Sequence, residues 1–221
     1  ENKVVTKKVL ERAGISVPGG YEHTSPEAGM ADYRLYAGKP VVIKPKSTNF
    51  GLGITILKHN YDETDFKAAL QIAFEHDNTV LIEKFIPGRE FRIFIINDEV
   101  VGILHRVPAN VTGDGVLNIG QLIDRKNEDP LRGKGYRTPL EKIRKGREEE
   151  MFLKQQGMDF NTVPKEGEVV YLRENSNIST GGDSIDFTDD IDDSYKAIAV
   201  EAAKALNVKI TGLDMMIQDI H

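Results

Sequence analysis

Short β-branched runs closed by turn residues recur along this chain, and they limit its fold more than any other feature. VVIKPK (41–46) reads as a strand, because Val41, Val42 and Ile43 are contiguous and β-branched. STNFGLG (47–53) follows as a glycine-bearing loop and ITILKH (54–59) returns as a strand, so the three segments predict a hairpin with a long tip. TVLIEKFI (79–86) is a strand that stops at Pro87-Gly88. REFRIFIINDEVVGILHRVP (89–108) is two strands around Asn97-Asp98, a hairpin signal. EVVYLRENSN (168–177) and KITGLDMMIQDI (209–220) are further strands, the first running into polar residues.

Helical periodicity fills much of the rest. ENKVVTKKVLERAG (1–14) places Val5, Val9 and Ala13 on one face with Leu10 beside them, and Gly14 stands where a helix ends. ISVPGGYEH (15–23) is an extended exit. YDETDFKAALQIAFEH (61–76) predicts a helix capped near Asp62 or Thr64, with Phe66, Leu70 and Phe74 on one face. LNIGQLIDRKN (117–127) and LEKIRKGREEEMFLKQQG (140–157) read as helices, the second broken near Gly146, with GREEE as a solvated face. ANVTGDGV (109–116) reads as a loop. SYKAIAVEAAKAL (194–206) is a helix with Ser194 as its N-cap, preceded by Asp190, Asp192 and Asp193, whose charge suits its positive end. Strands joined mostly by hairpins, without strict β-α-β alternation, indicate an α+β fold. No internal repeat stands out.

Composition narrows the class. At 221 residues the chain suits one large domain or two small ones. It lacks cysteine, which excludes disulfides and thiolate metal sites. No apolar run is long enough for a transmembrane helix, and no secretory signal is visible, so the expectation is a cytoplasmic protein with no membrane partner. Residues 1–110 carry 14 basic and 14 acidic side chains, so the net charge of −6 comes wholly from residues 111–221. That balance disfavours a nucleic-acid binder, which normally shows a basic surplus. A polyanion such as ATP needs only a few cations aimed at one spot.

Four constellations suggest chemistry, each with a bland counterpart. Lys44 and Lys46 before a glycine-bearing loop can hold phosphates through ammonium charge and uncovered backbone N–H groups, or can be solvated lysines beside an ordinary turn. Glu83, Lys84, Phe85 and Ile86 run into Pro87-Gly88, a strand exit that can offer backbone groups to a planar base; Glu90 can accept from ribose hydroxyls, or these charges can form an edge salt bridge. The run from Arg173 to Asp183 is dense in polar residues, which is costly to bury without partners, so it suits either a ligand site or a surface loop. Asp214 is an acid in an apolar strand, suited to a hard metal such as Mg²⁺ or to a nearby lysine. His23, His59, His76, His105 and His221 show no metal spacing.

The order of these constellations resembles the ATP-grasp fold of carboxylate–amine ligases over nearly the whole chain. The resemblance implies two β-rich subdomains with the nucleotide between them, a first at 1–86 with a lid hairpin and a second at 87–221. By N-K-x-x-T-K-x-x-L followed by G-I-S-V-P, Lys3 would be an early nucleotide-contacting lysine. VVIKPKSTNFGLGI looks like the phosphate lysine Lys44, seconded by Lys46, with a mobile loop pivoting on Gly51 and Gly53. EKFIPGREFR is similar to the adenine hinge, with Glu83, Lys84 and Ile86 near the base and Glu90 on the ribose. Arg106 resembles the cation beside the triphosphate, and Asp214 the first of three magnesium ligands.

H-R-V-P-A-N-V-T-G-D-G-V and L-R-E-N-S-N-I-S-T-G-G-D-S-I-D resemble the branch shared by cyanophycin synthetase and the bacterial bifunctional glutamate–cysteine ligase/glutathione synthetase, with the glutathione-synthetase part favoured. That likeness implies ATP with Mg²⁺, Mn²⁺ as a substitute, γ-glutamylcysteine and glycine as substrates, a fused glutamate–cysteine ligase domain, and compatibility with a homodimer. Lys44, Arg106 and Arg173 would serve catalysis. Arg173, Asn175, Asn177, Ser179, Gly181 and Gly182 would hold the peptide carboxylate. The family's Glu-x-Asn pair should follow Asp214 by a short stretch; the chain stops at His221, so a truncated second subdomain is expected, with the activity belonging to the parent enzyme. Alternatives are a cyanophycin-type amino-acid ligase and a non-catalytic nucleotide-binding fragment.

Overall fold

The computed structural model describes residues 3–48, 53–58, 60–135 and 137–221. In chain order its elements are α1 (Lys3–Arg12), β1 (Gly20–His23), α2 (Pro26–Ala31), α3 (Tyr33–Tyr36), β2 (Val41–Pro45), β3 (Thr55–Leu57), α4 (Glu63–Phe74), β4 (Val80–Lys84), β5 (Arg89–Ile96), β6 (Glu99–Val107), β7 (Asn110–Thr112), α5 (Ile119–Lys126), β8 (Arg132–Gly133), β9 (Leu140–Glu141), α6 (Arg147–Gln155), β10 (Val169–Tyr171), a 3₁₀ turn (Ile178–Thr180), β11 (Asp183–Asp186), α7 (Asp193–Ala205) and β12 (Ile210–Ile217). They form two compact units that are discontinuous in sequence. Residues 1–88, 95–99 and 193–211 make the first; 89–94, 100–192 and 212–221 make the second.

The first unit holds an antiparallel four-stranded sheet of order β1-β4-β2-β3. Val41, Ile43 and Pro45 of β2 are buried while Val42 and Lys44 are half-buried, the period-2 alternation of a strand with one face on a core. That core gathers Val41, Ile43, Val80 and Ile82 from the sheet with Phe66, Ala69, Leu70 and Ala73 from α4. Asp62 caps α4: its side chain accepts from the Thr64 and Asp65 N–H groups, and Asp65 reaches back to the Asp62 N–H. Phe66 is fully buried, edge-on to Tyr33 at 5.3 Å and stacked with Tyr36 and Tyr61.

A second four-stranded sheet has the order β11-β6-β5-β12. Its β5–β6 hairpin turns at Asn97 and Asp98, whose φ values of 47° and 66° are those of a two-residue primed turn. A separate core in the second unit joins Val111, Ile119, Leu122, Ile123, Leu153, Val170 and Leu172. β7 and β10 cross it as a short antiparallel ribbon, and β8 pairs with β9 in parallel.

Several expectations need correction. On α1 the buried apolar residue is Leu10; Val5 is exposed, so the stripe through Val5, Val9 and Ala13 is not the packed face. Residues 140–145 are not helical: Leu140 and Glu141 pair with β8, and α6 begins only after Gly146. ANVTGDGV contains β7. The strand read over 168–177 ends at Tyr171, and β11 follows unannounced. Ser194 lies inside α7, which starts at Asp193.

Phe66 fills the centre of the first core, so Phe66→Ala is expected to cost about 3–5 kcal/mol of unfolding free energy. Urea denaturation followed by circular dichroism checks this; a loss below about 1 kcal/mol would contradict the packing.

Candidate functional site

In the first unit, α4 covers one face of the sheet and the charged residues stand on the other. Val42 lies opposite Glu83 across β2 and β4, and Lys44 follows Val42 by two residues, so Lys44 and Glu83 share that face. Glu83 is only 3% exposed. Lys44 Nζ lies 2.6 Å from its Oε2, and Lys7 Nζ of α1 lies 2.9 Å from its Oε1. Burial by itself would push the Glu83 carboxyl up, but the Lys44 and Lys7 ammoniums outweigh it and hold the group below its ordinary value of 4.5. Gly20 of β1 sits opposite Glu83, and a Cβ there would come within 2.7 Å of the Glu83 Cα, so only glycine fits. Lys46 pairs with Glu22 at 3.1 Å.

At the end of β4 the Lys84 N–H donates to the Gly19 carbonyl and the Phe85 N–H to the Pro40 carbonyl. The Lys84 side chain is exposed and Ile86 is half-buried. Lys3 opens α1. Gly53 has φ of +73°, and a Cβ on it would meet His76 and Pro45 at 2.7 Å. Gly51 and the rest of 49–52 lie outside the described residues.

The second unit brings Glu90, Arg106 and Asp214 together. Arg106 is half-buried; its Nη1 lies 3.1 Å from Glu90 Oε1 and 3.4 Å from Asp214 Oδ1, and its Nη2 donates to Asn177 Oδ1 at 2.6 Å. Ser176 Oγ donates to the Glu90 carboxylate. Arg92 forks onto both oxygens of Asp214, with Nη2 at 2.9 Å from Oδ2. Among the described residues no group of three or more acidic or histidine side chains forms a metal site. Asp214 is engaged by two arginines, and one carboxylate is not by itself a magnesium centre.

The polar run is folded into its own unit. Arg173 bonds Glu149 through Nε and Nη2 at 2.6 Å and pairs with Glu148. Glu149 is 1% exposed, so GREEE is not a wholly solvated face; this glutamate also accepts from the Gly146 N–H that opens α6. Asn175 Oδ1 accepts from Thr180 Oγ1, and the Asn177 carbonyl accepts from the Thr180 and Gly182 N–H groups. Ser179 is half-buried in the 3₁₀ turn. Gly181, at φ of +92°, leaves 2.8 Å between its missing Cβ and the Ile143 Cα; at Gly182 the tight neighbour is the Val107 carbonyl. These glycines admit protein backbone.

Sequence reasoning missed a third cluster. Arg132 is buried and donates to the Glu141 and Gly181 carbonyls and to Asp183. Lys126 Nζ lies 2.7 Å from Asp183 Oδ2 and 3.0 Å from the Asn110 carbonyl and amide oxygens. Burial pulls the Lys126 ammonium below its ordinary value, and Asp183 offsets this only in part. Arg92, Lys7 and Ser176 were missed as well. Spacing carries no sign of such contacts, since Lys7 is 76 residues from Glu83 and Ser176 is 86 from Glu90.

A family profile described as "D-ala D-ala ligase C-terminus" matches residues 20–118, a span that includes Lys44, Glu83, Glu90 and Arg106. Over 99% of this chain, the crystal structure of a bifunctional glutathione synthetase from Pasteurella multocida superposes at a TM-score of 0.66 with 50% identity. The chain has the ATP-grasp fold. The fold alone is shared with D-alanine–D-alanine ligase from Bacillus anthracis, at a TM-score of 0.58 and 20% identity. The glutathione biosynthesis bifunctional proteins GshAB of Desulfotalea psychrophila and Clostridium perfringens are 61% and 56% identical over the whole chain. This chain spans 28% of the length of each, and 29% of the Pasteurella chain. It is thus similar to their ATP-grasp part; ligases of that fold use ATP with a divalent metal. No helix among the described residues is long and apolar enough to cross a membrane.

Two outcomes follow from the buried charges. Asp183→Asn leaves the Arg132 guanidinium buried without its counter-charge and is expected to destabilise the protein by about 3–5 kcal/mol, read from urea unfolding. Glu83 has a lowered folded pKa, so its contribution to stability is complete above 4.5 and is lost as pH falls through the folded value. Wild-type urea midpoints should therefore drop more steeply across that acid window than those of Glu83→Gln. Parallel curves would contradict the buried ion triad.

Proposed function

We propose that this chain is the ATP-grasp module of an ATP-dependent carboxylate–amine ligase of the glutathione-synthetase type, joining γ-glutamylcysteine to glycine. The observation that carries the reading is 61% identity over all 221 residues to a bifunctional glutathione biosynthesis protein. Lys44, placed beside Glu83 on the sheet face away from α4, supports it.

A carboxylate is a poor electrophile toward an amine in water. On this reading the cysteinyl carboxylate attacks the γ-phosphate of ATP, giving an acyl phosphate and ADP. The glycine amine then attacks the acyl carbon and phosphate leaves. Phosphoryl transfer rests mainly on positioning and charge neutralisation. Lys44 and Lys46 supply positive charge to phosphate, with Lys3, Gly51 and Gly53 completing that set. Glu83, Lys84 and Ile86 flank the base and Glu90 takes the ribose. Arg106, held by Asn177 and Glu90, is a pre-oriented cation for the triphosphate. Arg173, Asn175, Asn177, Ser179, Gly181 and Gly182 form the peptide-carboxylate segment.

No protein nucleophile is needed, consistent with the absence of cysteine. Mg²⁺, or Mn²⁺ in its place, offsets phosphate charge when bound, and Asp214 is the ligand this chain contributes. The same proposal includes functional subdomains at 1–86 and 87–221, a fused glutamate–cysteine ligase domain, assembly as a homodimer and a cytoplasmic site of action.

Full-length protein incubated with ATP, Mg²⁺, γ-glutamylcysteine and glycine is expected to release ADP and form glutathione, measured by mass spectrometry. Product only with aspartate or arginine as acceptor would overturn the glutathione reading, and no peptide-dependent ADP release would overturn the ligase reading. Lys44→Ala should weaken ATP binding by about tenfold or more, because it removes a charge-assisted phosphate contact. Asp214→Asn should lower Mg²⁺-dependent turnover; wild-type rates would remove Asp214 from the metal site.

A further inference from the structure

The segment from Ser176 to Gly182 has little regular structure of its own. It contains one 3₁₀ turn, Ile178–Thr180, closed by Gly181 in the left-handed region. Its internal bonds are local: the Thr180 and Gly182 N–H groups donate to the Asn177 carbonyl, and the Gly181 N–H donates to the Ile178 carbonyl. A single short turn is not stable alone, so its place is set by what grips it from outside. Two arginines do so, one at each end. Arg106 Nη2 donates to Asn177 Oδ1 at 2.6 Å and its Nε to the Ser176 carbonyl at 3.4 Å. Arg132 Nη1 donates to the Gly181 carbonyl at 3.0 Å.

Arg132 is built to hold protein rather than ligand. Its side chain is 1% exposed. The same Nη1 donates to the Glu141 carbonyl at 2.9 Å, and Nη2 donates to the Asp183 carboxylate. One planar group thus joins β9, Gly181 and the first residue of β11, and the pairing of β8 with β9 fixes the backbone that carries it. Asp183 does not need this second cation. Lys126 Nζ lies 2.7 Å from its Oδ2, and the Asn110 amide donates to the same oxygen at 2.8 Å. The three N–H groups of Lys126 match three acceptors, Asp183 and the two Asn110 oxygens, all outside the 176–182 segment. Burying another charge costs desolvation free energy. What Arg132 adds, and Lys126 does not, is the bond to Gly181.

We propose that Arg132 is a positioning residue for the peptide substrate: by holding the Gly181 carbonyl it sets where Asn175, Asn177 and Ser179 stand to receive the peptide carboxylate. The link to Asn175 runs through Thr180, whose Oγ1 donates to Asn175 Oδ1 at 2.8 Å. The inference rests on the reading of this run as the peptide-carboxylate segment and extends it to a buried residue of β8 that touches no substrate. The nucleotide is spared, because Arg106 is also held by Glu90 and Asp214.

The test compares two variants that each remove one cation from Asp183 and leave it the other. Initial rates of ADP release by the full-length protein are measured against γ-glutamylcysteine and, separately, against ATP. KM does not depend on the fraction of protein that is folded. Arg132→Met is expected to raise KM for γ-glutamylcysteine about tenfold and to leave KM for ATP within about twofold. Lys126→Met loses an ion pair to the same carboxylate and is expected to leave both within about twofold. Arg132→Lys keeps the charge beside Asp183 but loses the fork onto two carbonyls; it should raise the peptide KM about threefold or more, and it carries the test where Arg132→Met does not fold. The proposal is overturned by an unchanged peptide KM in the Arg132 variants, by an equal rise in Lys126→Met, or by an equal rise in KM for ATP. Failure of the underlying reading looks different: the wild type would release no ADP in response to γ-glutamylcysteine, and the positioning role falls with it. A wild type that turns over, with Arg132 variants of unchanged peptide KM, defeats the positioning role alone.

Discussion

A carboxylate taken out of water must be met by positive charge, and each arrangement of interest in this protein follows from that requirement. Glu83 is met by Lys7 and Lys44, Glu149 by Arg173, and Asp183 by Arg132 and Lys126. In each case the partners come from separate elements, so the ion pairs tie the backbone together as they satisfy the charge. Arg106 reverses the arrangement: one half-buried guanidinium collects Glu90, Asp214 and Asn177.

The sheet makes the first of these clusters possible. Side chains alternate along β2, so a strand that sends Val41 and Ile43 into the core sends Lys44 to the opposite face. β4 lies between β1 and β2, which gives Glu83 a backbone paired on both sides and hence a fixed direction for its carboxylate. Gly20 lets β1 approach closely enough to cover it.

Local chemistry made much of the architecture legible. The α4 helix and its Asp62 cap, the 41–57 hairpin and the Asn97-Asp98 turn follow from periodicity, capping and turn preference. Where such signals were weak or contradictory the reading failed. Leu140 and Glu141 have helix-compatible neighbours but are drawn into pairing with β8, a contact no local pattern records. The strand β11 follows a glycine pair and is polar at both ends, so it offers no β-branched run. Within the site, the polar run after β10 was visible as a costly sequence, but its partners were not. Arg173 pairs with a glutamate from α6, and the glycines lie close to Ile143 and Val107.

The sequence by itself determined the class of fold, the family likeness and the set of cations and carboxylates from which any nucleotide chemistry must be built, because these depend on residue type, spacing and order. Only the tertiary structure decided which charges meet. Lys7 and Glu83, Arg106 and Asp214, and Arg132 and Asp183 are separated by tens of residues or more, and an ion pair across such a gap leaves no periodic trace. The reason is physical: alternation and helical repeat report which side of an element faces the core, whereas the partner of a buried charge is fixed by where the chain's other elements return.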